Sequence, residues 1–188
     1  MKILIALLSI TLARAEDANK FWPSETFKHV VAYCYDFSKD SRGSAITFPD
    51  GSLHKGVIRA TTVRLEELQV SKLRSLISTD SDTEHRNVDC YDPHHAFVFY
   101  DAEWKVIASV DVCFLCDDYQ ARPMGISKSI DLAALETFTR NLGLPMLEES
   151  SEYSALYQQE HPVRATPKPE KIPSATNDDD PFADDDDE

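Results

Sequence analysis

The chain has 188 residues, a length suited to one domain of ordinary size, and a formal net charge of −14. Eight of its acids stand in the last 11 residues, DDDPFADDDDE. This balance argues against nucleic acid and anionic membrane surfaces as partners, because both would be repelled. From residue 148 to 188 the composition turns proline-rich and acidic, which predicts a disordered linker and tail.

The first 15 residues, MKILIALLSITLARA, have the pattern of a signal peptide. Lys2 is the positive start, an apolar run follows, and Ala13-Arg14-Ala15 fits a small-x-small cleavage site. The run is about half of the roughly 20 residues that span a bilayer. We therefore expect a mature protein that begins near Glu16, is exported to the periplasm or the extracellular space, and has no stable membrane anchor.

The spacing of apolar residues predicts the fold class. PSETFKHVVAYCYDF and EELQVSKLRSLI have helical spacing, and VIRATTVRL between them is rich in β-branched residues and predicts a strand. AFVFYDAEWKVIASVDVCF predicts two strands around a turn near Asp101, and SIDLAALETFTRNLGLP a helix ended by Gly143. The expected fold is one α+β domain over residues 16–147, a mostly antiparallel sheet with helices packed on one face and a hairpin near 96–116.

Chemistry-bearing residues concentrate at the end of this hairpin, in CYDPHH and CFLC. The candidate metal ligands are Cys90, His94, His95, Cys113 and Cys116. Thiolates and imidazole are the ligands that Zn²⁺ and Cu⁺ favour, and three cysteines with one histidine form a tetrahedral set. The sequence therefore predicts an exported protein with a Cys/His site for Zn²⁺ or Cu⁺.

The register of the hairpin decides which of these side chains share a face. We expect the hairpin to close with Tyr100 opposite Lys105. One face then carries Cys90, His94 and Cys113, because cross-strand partners share a face. The opposite, buried face is expected to carry Val106, Ala108, Val110, Val112 and Phe114. In a regular strand Cys116 would point away from Cys113, so both can bind one metal ion only if the chain bends after Cys113.

Two other interpretations of the cysteines stay open. Four cysteines in an exported protein are typical of two disulfides, here among Cys34, Cys90, Cys113 and Cys116. Cys34 would then staple the first helix to the sheet through Cys90, in a binding or structural domain without metal. Thiol redox chemistry is disfavoured, because CFLC ends a strand and precedes two aspartates.

A glycine-rich phosphate loop, HExxH and G-x-S-x-G are all absent, so no enzyme class is indicated and the protein partner is left open.

The stretch CYDPHHAFVFYDAEWKVIASVDVCFLC resembles a motif of small exported bacterial proteins, C-Y-x-P-H/R-H followed by a hairpin and C-F-x-C. The resemblance covers about 35 residues, from Asp89 to Pro123, and implies no reaction, substrate or cofactor. It implies that one unit is formed by Cys90, Pro93, His95, Cys113, Phe114 and Cys116. Cys34 lies outside that unit, which favours a local site over a staple to the first helix.

Overall fold

The computed structural model describes residues 22–78, 90–126 and 130–162. Five strands form one antiparallel sheet in the order β2-β1-β3-β4-β5. The strands are β1 His29–Cys34, β2 Val63–Arg64, β3 His95–Tyr100, β4 Val106–Cys113 and β5 Asp118–Arg122. The helices are α1 Glu67–Ser78, α2 Leu132–Asn141 and α3 Ser150–Glu160, with 3₁₀ turns at Phe37–Lys39 and Arg59–Thr61. The predicted α+β class with a mostly antiparallel sheet is confirmed.

The segment predicted as the first helix is a strand, so that prediction was wrong. β1 pairs with β3 from His29 to Cys34 and with the short β2 on its other side. Five of its six residues are buried. A strand that is covered on both faces has a continuous apolar run, so its spacing does not distinguish it from a helix. The β-branched Val30 and Val31 pack well in a pleated sheet.

The edge strands also differ from prediction. In VIRATTVRL, a 3₁₀ turn at Arg59–Thr61 interrupts the expected strand, and only Val63 and Arg64 pair with β1. β5 was not predicted, because the alternation of Tyr119 and Ala121 with polar residues in Asp118–Arg122 is short and none of the five residues is fully buried. Both strands lie at the ends of the sheet order, where only one side needs a hydrogen-bonding partner.

Different parts of the chain cover the two faces of the sheet. The helices cover one face, where Leu73 of α1 belongs to the same buried cluster as Phe97 and Val110. The long loop after β1 covers the other face, where Ile46 packs with Val98. Helices on one face are therefore confirmed, and Ala108, Val110 and Val112 of β4 are buried on that face as predicted. The second face is buried as well, because the loop takes the place of a helical layer.

The β3–β4 hairpin forms in a register different from the expected one. Tyr100 pairs with Val106 instead of Lys105, and a bulge between Phe99 and Tyr100 brings Phe99 opposite Ala108. Beyond the bulge the partners are therefore displaced by two residues from the prediction. A displacement of two keeps each side chain on its predicted face, since side chains alternate with a period of two. Val106, before the bulge, packs instead on the loop side.

The folded domain extends past the predicted boundary at residue 147. α3 lies within the segment predicted as a linker, and its Tyr153 is buried in the helix-side core. Side chains of Glu149 and Glu152 form a capping box at its start, which satisfies backbone N–H groups there. The predicted signal peptide and the acidic tail lie outside the described residues. Among the described residues, no helix is long and apolar enough to cross a membrane.

Candidate cysteine site

CFLC forms the turn between β4 and β5. Cys113 ends β4 and pairs with Asp118, the first residue of β5. Between them Asp117 takes the left-handed conformation, with φ of 51°, which aspartate adopts more readily than most residues. The turn supplies the bend that both cysteines needed to reach one point, and it does so without glycine.

Three sulfur atoms meet at this turn. Cys113 and Cys116 lie at disulfide-bonding distance and form a bridge. Sγ of Cys90, a free thiol, lies 3.5 Å from Sγ of Cys116. The backbone N–H of Cys116 donates to Sγ of Cys113 over 3.1 Å. Cys90 is exposed while the other two are buried, so one sulfur faces solvent and two lie behind it.

Contacts on the residues that follow Cys90 hold its segment against the turn. The Tyr91 hydroxyl donates to the backbone carbonyl of Asp111 over 3.0 Å. The carbonyl of His94 accepts from the backbone N–H of Tyr35 over 2.9 Å, which ties the segment to β1. Burial raises the pKa of Tyr91, so its hydroxyl stays protonated and keeps donating. The segment that carries Cys90 is therefore fixed by hydrogen bonds to the same sheet that carries the CFLC turn.

His94 is held through both ring nitrogens. Nδ1 lies 3.0 Å from the carbonyl oxygen of Tyr35, which can only accept, so Nδ1 carries the proton. Nε2 therefore accepts from the Ser150 hydroxyl over 3.0 Å. The ring stacks on Tyr153 with centroids 3.8 Å apart. Burial lowers the pKa of His94, which favours the neutral ring that these bonds require.

His95 lies on the helix side of the sheet, opposite Cys34 in the β1–β3 ladder. Its Nε2 donates to the carbonyl of Pro145 over 2.8 Å. The ring packs against Phe114 and Tyr153. The side chain is 2% exposed, and burial lowers its pKa to about 4. His95 is therefore a neutral ring packed between the sheet, the CFLC turn and α3.

The structure brings the three cysteines of the predicted ligand set together and holds the two histidines by other contacts. With Cys113 and Cys116 bridged, no group of three or more His, Cys, Asp or Glu side chains within residues 22–78, 90–126 and 130–162 is arranged to hold a metal ion. The ligand set that includes a histidine therefore stays a prediction.

The staple between Cys34 and Cys90 that the disulfide interpretation allowed is not formed, and both are free thiols. Cys34 points into the helix-side core from the end of β1, whereas Cys90 is exposed at the turn. Burial raises the pKa of Cys34 to about 12. The structure thus separates Cys34, a packed and unreactive thiol, from the other three cysteines.

A cavity of about 280 Å³ opens beside the turn. Its wall includes Phe114 and Leu115, the two residues between the cysteines, and also both histidines. Glu136 and Arg140, an ion pair on α2, line it as well. The cavity therefore offers apolar and charged groups beside the turn, and room for a side chain of a partner.

Sequence reasoning missed Ser150 and Tyr153, which contact the histidines. Both lie in the segment that was predicted as a linker. The available signal was the capping pattern of Glu149 and Glu152, together with the apolar spacing of Tyr153 and Leu156. Comparison with protein-family models, with curated proteins and with solved structures found no match to this chain.

Proposed function

We propose that the cysteine cluster is the functional site and that its reduced form binds one soft metal ion, Zn²⁺ or Cu⁺, through the thiolates of Cys90, Cys113 and Cys116. The observation that carries the proposal is the contact of Cys90 Sγ with Cys116 Sγ, at 3.5 Å, beside the sulfur of Cys113. A disulfide needs two sulfurs only. A third sulfur, supplied by a separate segment, is what a thiolate ligand set requires.

The electrostatics of the turn support this proposal. The N–H of Cys116 points at Cys113 Sγ and favours the charged form of that sulfur. Asp117 and Asp118 follow at once and disfavour further negative charge, so three bare thiolates would repel one another and both carboxylates. A bound cation offsets that repulsion. The exposure of Cys90 leaves one side of the ion open to solvent or to a ligand from a partner.

The test is metal titration of the fully reduced protein without air, with Zn²⁺ and Cu⁺ in separate experiments, read by native mass spectrometry and by thiol alkylation. We expect one ion per chain and protection of three thiols. Cys90→Ser should weaken binding by about two orders of magnitude or more, because replacing a residue that only hydrogen-bonds to a metal ligand already costs about 10- to 100-fold. Cys34→Ser is the matched control and should bind like the wild type. Binding that is unchanged by Cys90→Ser would contradict the proposal.

The second candidate function is a disulfide-stapled binding or structural domain without metal and without catalysis. The bridge between Cys113 and Cys116 favours it. Predicted export favours it too, because disulfides persist in the periplasm and outside the cell. In the chain-entropy account a loop of four residues stabilises by only about 2 kcal/mol. Under this candidate the reduced protein binds neither ion, and reduction lowers the melting temperature modestly.

A further inference from the structure

We infer that the oxidised cluster undergoes internal thiol–disulfide exchange, with Cys90 as nucleophile, Cys116 as the attacked sulfur and Cys113 as leaving group. The free, exposed thiol of Cys90 already lies 3.5 Å from Cys116 Sγ, which is van der Waals contact between sulfur atoms. Cys116 is bridged to Cys113. The inference concerns the oxidised form, so it holds whether or not the reduced form binds a metal ion.

The exchange needs no other reactant. Cys90 loses its proton to solvent, and the thiolate attacks Sγ of Cys116. The sulfur–sulfur bond between Cys90 and Cys116 forms while the bond between Cys116 and Cys113 breaks. The electron pair of the broken bond stays on Cys113 Sγ, which then takes up a proton. One disulfide and one thiol are present before and after, so there is no net oxidation or reduction.

The surroundings of the two bridged sulfurs assign their roles. Cys116 is the sulfur that Cys90 contacts, so attack there needs the least movement. Cys113 Sγ accepts the N–H of Cys116 over 3.1 Å, and this hydrogen bond stabilises the charge that develops on the departing sulfur. A better stabilised leaving thiolate departs faster in this reaction. Both contacts therefore favour the same direction of exchange.

The exchange moves the free thiol from an exposed to a buried position. Before it, the thiol is on Cys90 at the surface. After it, the thiol is on Cys113, whose side chain is 1% exposed. The cluster thus alternates between a form that presents a thiol to an external partner and a form that shields it, and the position of one disulfide decides which form is present.

Peptide mapping of the oxidised full-length protein tests this inference. The protein is held at pH 8 without reductant, quenched with acid, alkylated in denaturant and digested with trypsin. Cys90 falls on peptide 87–105, and Cys113 and Cys116 share peptide 106–128. The bridge within CFLC stays inside one peptide, whereas the exchanged bridge joins the two. We expect both products, with fragmentation assigning the link to Cys116. Absence of the joined peptide, with Cys90 fully alkylated, would overturn the inference.

Three variants make the roles testable one by one. Cys113→Ser should convert nearly all of the protein to the Cys90–Cys116 bridge under mild oxidation. Cys90→Ser should lose the joined peptide and keep the internal bridge. Cys116→Ser should lose both bridges, and a Cys90–Cys113 link formed as readily as the link in Cys113→Ser would refute Cys116 as the attacked sulfur. A parallel alkylation of each variant without denaturant reports folding, since the buried Cys34 should resist modification as long as the domain is folded.

Discussion

Replacing His95 with glutamine should remove part of the acid sensitivity of the fold. The folded-state pKa of His95 is about 4, against an ordinary value of 6.5, because burial disfavours the charged ring. Between these values the unfolded chain takes up a proton that the folded chain does not. The contribution of the neutral His95 to the unfolding free energy is therefore fully present above pH 6.5 and is lost as the pH falls from 6.5 towards 4.

The magnitude follows from the two pKa values. Each pKa unit between folded and unfolded states corresponds to about 1.4 kcal/mol. The difference for His95 corresponds to about 3 kcal/mol of unfolding free energy between pH 7 and pH 4. Burial lowers the pKa of His94 as well, so His94 adds to the acid loss and remains in the variant. Glutamine keeps an N–H donor near the carbonyl of Pro145 but does not titrate.

The assay is urea denaturation at half-unit steps from pH 4 to pH 8, in the presence and absence of a chelator. The decline in unfolding free energy from pH 7 to pH 4 should be about 3 kcal/mol smaller in His95→Gln than in the wild type, with chelator or without. His161→Gln is the matched control, because this histidine is exposed at the end of α3 and should keep the wild-type profile. An equal decline in His95→Gln would refute the account of a buried neutral ring. A decline that disappears with chelator would assign the effect to a metal.

Three further substitutions test the surroundings of the site. Burial raises the pKa of Asp111 to about 6 against its ordinary 3.8, although the ion pair with Arg122 opposes this shift, so the contribution of this carboxyl to the unfolding free energy should fall by up to about 3 kcal/mol as the pH rises from 4 to 7. Asp111→Asn should lack this loss in urea denaturation, and a parallel profile would contradict it. Tyr153→Phe removes the hydroxyl that accepts the N–H of Leu147 and should lower the unfolding free energy by about 1 kcal/mol, whereas no change would show that packing alone matters. Gly56→Ala places a Cβ against the backbone oxygen of Asp36 and should cost about 2–3 kcal/mol in the same assay, and a neutral effect would mean that the loop moves freely there.

The histidines show how the tertiary structure changes a test that the sequence suggests. From the sequence, a loss of stability on replacing His94 and His95 would indicate a metal site. In the structure both rings are buried and hydrogen-bonded, so their replacement costs stability without any metal. Cysteine substitutions and direct metal titration therefore separate the hypotheses better than histidine substitutions do.

Local patterns in the sequence were sufficient for several elements. α1 and α2 have apolar spacing that matches one helical face, and Asp131 and Gly143 bound α2 by cap chemistry that acts within a few residues. The β3–β4 hairpin was predictable because alternation and a polar turn are also local. The same locality explains the wrong prediction for β1, since its burial on both faces depends on the distant loop and helices.

The sequence by itself determined the sheet-and-helix class and the approach of the CFLC strand to the segment of Cys90, because both follow from patterns within single segments. Only the tertiary structure decided that the three candidate cysteines form a cluster while the two candidate histidines bind other partners. The turn formed by CFLC brings the sulfurs of Cys113 and Cys116 together and towards Cys90. His94 forms a hydrogen bond with Ser150, 56 residues away in the chain, and His95 forms one with the carbonyl of Pro145, 50 residues away. Such partners are chosen by packing across the whole domain, which no local pattern records.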